Sequence, residues 1–258
     1  MENLNITIIQ EDLKWENITA NLELFSKHIN FLKASSDLIV LPEMFTTGFS
    51  MNPMQFAELE NGKTLDWLKE TAKKNNIAIT GSVMIKENSN YYNRLFFVLP
   101  NGSYQTYNKK HLFTLAHEEQ TYAAGEERLM VEYKGWKICP LICYDLRFPV
   151  WSRNTVDFDL LLYVANWPKK RIAAWDTLLK ARAIENMCYV AGVNRVGFDG
   201  NHHEYSGHSA IYDMLGEQIS TLNEGKVFSE TILLEKAKLN ETRKRFSFLN
   251  DRDEFNLV

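Results

Sequence analysis

Cysteine is scarce: only Cys139, Cys143 and Cys188 occur in a chain of 258 residues. Three residues make no disulfide framework, and the expected setting is a reducing cytoplasm. Proline (6) and glycine (12) are also few, which excludes collagen-like and linker-dominated architectures. Nor is there an excess of base. With 29 Lys and Arg against 33 Asp and Glu, the net charge of −4 offers no field to nucleic acid or to an anionic membrane. The longest apolar runs, such as Leu160-Leu161-Leu162-Tyr163-Val164-Ala165, have strand length, well below the ~18 residues of a membrane span. The start, Met1-Glu2-Asn3-Leu4-Asn5-Ile6, has acid where a secretory signal needs base. What remains is ordinary globular stock, 45% hydrophobic and 24% charged, sufficient for one compact domain over residues 1–258 with a C-terminal tail from about 241.

Apolar periodicity predicts a strand over 4–10, an amphipathic helix over 16–34 and a short buried strand over 37–42. The order recurs with a strand over 137–143, a helical stretch around 150–155 and a strand over 159–165. Two such βαβ-like units predict a pseudo-duplicated, two-sheet α/β sandwich. Between them the pattern predicts a helix over 65–75 and strands over 77–85, 94–99 and 104–109; after them, a helix over 172–186 and strands over 189–196 and 209–213.

Glu43, Lys109 and Cys143 each stand at the carboxyl end of a predicted strand, where α/β sheets place their ligands. A carboxylate to take a thiol proton, an ammonium to hold an oxyanion and a sulfur nucleophile together point to acyl transfer. Asp145 and Arg147, beside the thiol, read as members of a structural ion pair. His202, His203 and His208 fall in a loop and do not read as a metal site.

The words around these residues carry a resemblance. Leu41-Pro42-Glu43-Met44-Phe45, Tyr107-Asn108-Lys109-Lys110-His111-Leu112-Phe113 and Cys143-Tyr144-Asp145-Leu146-Arg147-Phe148-Pro149 resemble, in order and spacing, the Glu, Lys and Cys boxes of the nitrilase superfamily. Gln10-Glu11-Asp12-Leu13-Lys14-Trp15, Ala165-Asn166-Trp167-Pro168 and Phe248-Leu249-Asn250-Asp251-Arg252-Asp253 are similar to its bacterial omega-amidase branch. The likeness runs from Ile6 to about Phe255. It implies a four-layer α-β-β-α sandwich, usually a homodimer, acting on a small-molecule amide with neither metal nor organic cofactor. It also implies Cys143 as nucleophile, Glu43 as general base, Lys109 rather than Lys110 as catalytic lysine, and Glu118 as a second glutamate orienting that lysine. The backbone N–H of Tyr144 would share the oxyanion with Lys109, and a helix starting near Asp145 would favour the thiolate through its N-terminal dipole. The implied substrate is a 2-oxo dicarboxylic acid monoamide, such as 2-oxoglutaramate or 2-oxosuccinamate. Its carboxylate needs a cation, for which Arg171 is the expected residue, with Trp167 and Phe148 as walls. The competing readings are a carbamoyl-amine hydrolase or other aliphatic amidase, a papain-like hydrolase with His111 or His208 as base, and a non-catalytic binding module.

Overall fold

The computed structural model describes residues 2–32 and 36–255. In chain order its elements are β1 (Leu4–Gln10), α1 (Ile18–Asn30), β2 (Leu38–Val40), α2 (Pro53–Phe56), α3 (Lys63–Asn75), β3 (Ala78–Glu87), β4 (Asn90–Val98) and β5 (Tyr104–Asn108). There follow β6 (Val131–Tyr133), β7 (Trp136–Ile142), β8 (Leu160–Val164), α4 (Ile172–Asn186), β9 (Tyr189–Val193), β10 (Val196–Phe198), β11 (Glu204–Ser206), β12 (Ala210–Tyr212), β13 (Phe228–Leu234) and α5 (Lys236–Arg245). One sheet runs β13-β1-β2-β3-β4-β5 and the other β12-β9-β8-β7-β6, while β10 and β11 form a separate hairpin.

Alternation along the strands builds four layers. Ile6, Ile8, Leu38 and Val40 turn inward to meet Ile138, Leu160 and Leu162 of the other sheet. Their neighbours Ile9, Ile39 and Leu41 turn outward, onto Leu22, Phe25 and Ile29 of α1 and Leu65, Leu68 and Ala72 of α3. On the opposite outer face α4 lays Trp175, Leu179 and Ala183 against β9. This approach requires Gly192, because a Cβ there would lie 2.5 Å from Leu179 Cδ1. The expected α-β-β-α sandwich is the architecture observed.

Several boundaries differ from the sequence pattern. Helix α1 starts at Ile18 because Asn17 caps it, accepting from the Ala20 N–H at 3.1 Å, and it ends at Asn30; Ala34 of the expected span lies outside the described residues. The helix expected around 150–155 is a run of turns. Asn154 holds it, accepting from Phe158 N–H and donating to Phe158 O, both at 2.9 Å, while Asn186 donates to Ser152 O. The local Asn154–Phe158 bonds and the long-range contacts of Asn186 override helical propensity, so the parallel β7–β8 connection has no α-helix. The tail expected from about 241 is helical to Arg245, within α5. Strand β13, unforeseen, pairs antiparallel with β1 along its whole length. No helix among the described residues is long and apolar enough to cross a membrane.

Candidate active site

The parallel triplets β1-β2-β3 and β7-β8-β9 bring strand ends from both sheets to one place. Glu43 comes just after β2, Lys109 just after β5, Cys143 just after β7 and Asn166 just after β8. Lys109 Nζ lies 2.9 Å from Glu43 Oε1 and 2.9 and 3.1 Å from the two oxygens of Glu118, and all three side chains are fully buried. Gly125 holds this lysine in place: its N–H donates to Lys109 O at 2.8 Å, and a Cβ there would lie 2.2 Å from Asn108 O. Lys110, expected to face solvent, is instead half-buried with its ammonium over the Trp151 ring, while Glu119 is exposed. Of these neighbouring residues, Lys109 and Glu118 lie in the buried cluster, and Lys110 and Glu119 lie outside it.

Cys143 is 9% exposed and has φ of +44°, a left-handed conformation that side chains other than glycine seldom adopt. The turn is fixed from below by fully buried Asp145, which accepts from Ile142 N–H at 3.0 Å, Tyr107 O–H at 2.7 Å and His111 N–H at 3.0 Å. Asp145 therefore pairs with His111, 2.8 Å from its Nδ1, and not with Arg147. Burial pushes the thiol well up from its usual range, and the neighbouring Glu43 carboxylate adds to this, outweighing the pull of Lys109. From Cys143 to Arg147 the chain forms a five-residue 3-10 turn and not the α-helix from which dipole support of a thiolate was expected. Burial works against the Lys109 charge, yet Glu118 and Glu43 together raise its pKa, so it stays an ammonium. Burial raises Glu118 as well, with Lys109 opposing and Glu43 reinforcing.

The thiol opens into a cavity of about 300 Å³, walled by Phe49, Phe113, Tyr144, Trp167 and residues of the β10–β11 hairpin. Two guanidiniums reach it. Arg171 lies over the Phe113 ring at 4.9 Å and Arg147 over Trp167 at 5.0 Å. Among the described residues neither has a carboxylate partner, which corrects the ion-pair reading of Arg147 and adds it to the candidates for binding an anion. Phe148 is not on the wall; it stacks on His111 with centroids 3.6 Å apart, behind Tyr144. His203 joins Asp199, and His208 joins Asp176.

The sequence profile described as Carbon-nitrogen hydrolase matches residues 5–243. The chain belongs to the carbon-nitrogen hydrolase family. This hydrolase is 46% identical to the omega-amidase YafV of Yersinia enterocolitica over 258 residues, the whole of both chains. It is 36% identical to the 2-oxoglutaramate amidase of Bacillus subtilis, with 92% of this chain and 94% of that one covered. A crystal structure from Xanthomonas campestris, of a CN-hydrolase superfamily protein with an arsenic adduct in its active site, superposes with a TM-score of 0.97 at 44% identity over the full length of both. Membership of the nitrilase superfamily, read from three short boxes, thus holds for the chain.

Proposed function

We propose that this hydrolase is an omega-amidase, converting the terminal amide of a small 2-oxo dicarboxylic acid monoamide to the free acid and ammonia, and that it works as a cytoplasmic homodimer. The observation that carries the reading is a buried Glu43–Lys109–Glu118 cluster and a buried thiol at the inner end of a cavity that also receives two unpaired guanidiniums. The names of its full-length relatives support the same substrate class.

Cys143 Sγ attacks the amide carbon while its proton passes to Glu43; the thiol, held protonated by burial, needs such a base. Lys109 Nζ has three N–H groups; one meets Glu43, and a second can serve both oxygens of the Glu118 carboxylate as a bifurcated donor. The third is available to the oxyanion, joined by the Tyr144 backbone N–H, which opens a 3-10 turn and has no partner within it. Ammonia leaves with the proton from Glu43. Water then attacks the thioester, Glu43 takes a proton from it, and the acid is released as the thiol re-forms. The thiol supplies the proton that leaves with ammonia and water the proton that re-forms the thiol, and the scheme invokes no cofactor or metal. His111 and His208 direct their rings to Asp145 and Asp176, whereas Glu43 neighbours the thiol, which favours Glu43 as base over a papain-like arrangement.

At the far end Arg147 and Arg171 would take the carboxylate, between Trp167 and Phe113. Replacing either by Met is expected to raise KM for 2-oxoglutaramate about 10- to 100-fold, the loss of one charge-assisted contact, while hydrolysis of a neutral short amide is nearly unchanged. Equal losses on both substrates would assign the arginine to structure. Ammonia release from a panel of ω-amides and carbamoyl amines tests the whole reading; a preference for carbamoyl amines would overturn the substrate class.

A further inference from the structure

The base has a support that the scheme above does not use. Asn93 lies inside β4, fully buried, where a polar side chain is costly unless it is paired. Its Nδ2 donates to Glu43 Oε1 at 2.8 Å, and its backbone carbonyl accepts the Lys109 N–H at 3.0 Å. One residue therefore holds both members of the Glu43–Lys109 pair. Charge dictates which way the amide faces, since only the N–H₂ end can meet a carboxylate. Asn93 Oδ1 is consequently left buried without a partner. An apolar side chain would fill the same strand position without that unpaired acceptor.

The contacts make the two oxygens of Glu43 unequal. Oε1 accepts twice, from Lys109 Nζ and Asn93 Nδ2, whereas Oε2 accepts once, from the Asn166 backbone N–H at 2.8 Å. A carboxylate oxygen offers about two acceptor sites, so Oε1 is filled and Oε2 keeps one open. Asn166 also sets its carbonyl oxygen 4.0 Å from Cys143 Sγ, placing the open oxygen of Glu43 and the sulfur beside the same residue.

We propose that Asn93 is a positioning residue for the base: by occupying Oε1 it confines the shuttled proton to Oε2 of Glu43. The proton leaves Sγ as the C–S bond forms, rests on Oε2, and departs with the amide nitrogen as the C–N bond breaks. In the second half a water proton takes the same place and returns to sulfur as the C–S bond breaks. This inference rests on Glu43 being the base.

The experiment is the pH dependence of kcat and kcat/KM for ω-amide hydrolysis in Asn93→Ala and in the isosteric Asn93→Asp. The charged and titratable groups facing Glu43, namely Lys109, Glu118, Cys143 and Tyr122, stay unaltered in both. Loss of the donor is expected to lower kcat about 10- to 100-fold with KM within about twofold, and to move the acidic limb up by about one pH unit, because a donor to the charged form keeps a carboxylate ionised. Asn93→Asp should move the limb the same way, by placing a second acid against the first. An unmoved limb in whichever variant folds would overturn the inference. Glu43→Gln separates the two claims: full activity there overturns Glu43 as base, whereas an inactive Glu43→Gln beside an unmoved limb at position 93 overturns the role of Asn93 alone.

Discussion

Cys143→Ala is expected to lose at least about four powers of ten in turnover while keeping its fold, because nucleophile loss ordinarily costs that much and only one atom is deleted. The sulfur is not a structural support: outside the Glu43–Lys109 cluster its hydrogen-bond contact among the described residues is a long one, to the Asn166 carbonyl at 4.0 Å. The turn beneath it is held by Asp145, which the substitution leaves untouched. Cys143→Ser should be nearly as inactive, since burial and the Glu43 charge already oppose ionisation of a thiol and oppose that of a hydroxyl more strongly. Ammonia release measures the rate, circular dichroism the fold, and intact mass with substrate present the acyl adduct. More than about a tenth of the wild-type rate in either variant would end the covalent scheme.

The second large effect is expected at Lys109. Lys109→Met removes an oxyanion donor, a loss of about 10²–10³ in kcat, and also strands two buried carboxylates that the ammonium had neutralised. Breaking such a buried set costs about 3–5 kcal/mol, so the melting temperature should fall with the rate. The sign of its pH dependence is specific. Without the cation, Glu43 and Glu118 share a proton, and the folded pair holds that proton at pH values where the unfolded chain has lost it. The variant should therefore be most stable in acid and lose stability as pH rises through the pair's folded-state titration. Lys110→Ala should leave the rate nearly unchanged and cost about 0.5–1 kcal/mol of stability, the loss of its contact over the Trp151 ring. Equal losses at both lysines, or a Lys109→Met protein whose stability does not fall with rising pH, would contradict this arrangement.

The sequence was most readable where chemistry coincides with a strand end. Glu43, Lys109 and Cys143 follow runs whose period marks them as β2, β5 and β7, and the boxes around them are specific enough to choose Lys109 over its neighbour. Asn93 was invisible for the opposite reason: it interrupts a strand among Tyr91, Tyr92, Leu95 and Phe96, with no spacing to show that its amide meets Glu43 across the sheet. Arg147 was visible but misassigned, because adjacency to Asp145 suggests a pair that the turn does not allow. The missing helix near 150–155 and strand β13 share a cause, since each depends on partners far along the chain: Asn186 in one case, all of β1 in the other. Three-residue strands such as β10 and β11 carry too little alternation to read, yet their hairpin walls the cavity.

The division of the site between two sheets bears on how the protein is made. Glu43 and Cys143 stand a hundred residues apart, and the strand ends that carry them belong to different layers. During synthesis Glu43, Lys109 and Glu118 emerge well before Cys143, so neither half alone holds the proposed nucleophile together with its proposed base. Only the docking of one sheet on the other, the late closure of long-range contacts, assembles the reacting groups. Recovery of activity on refolding is thus expected to time that docking step rather than the formation of either sheet, because a partly folded chain carries an ordinary thiol without the carboxylate and ammonium beside it.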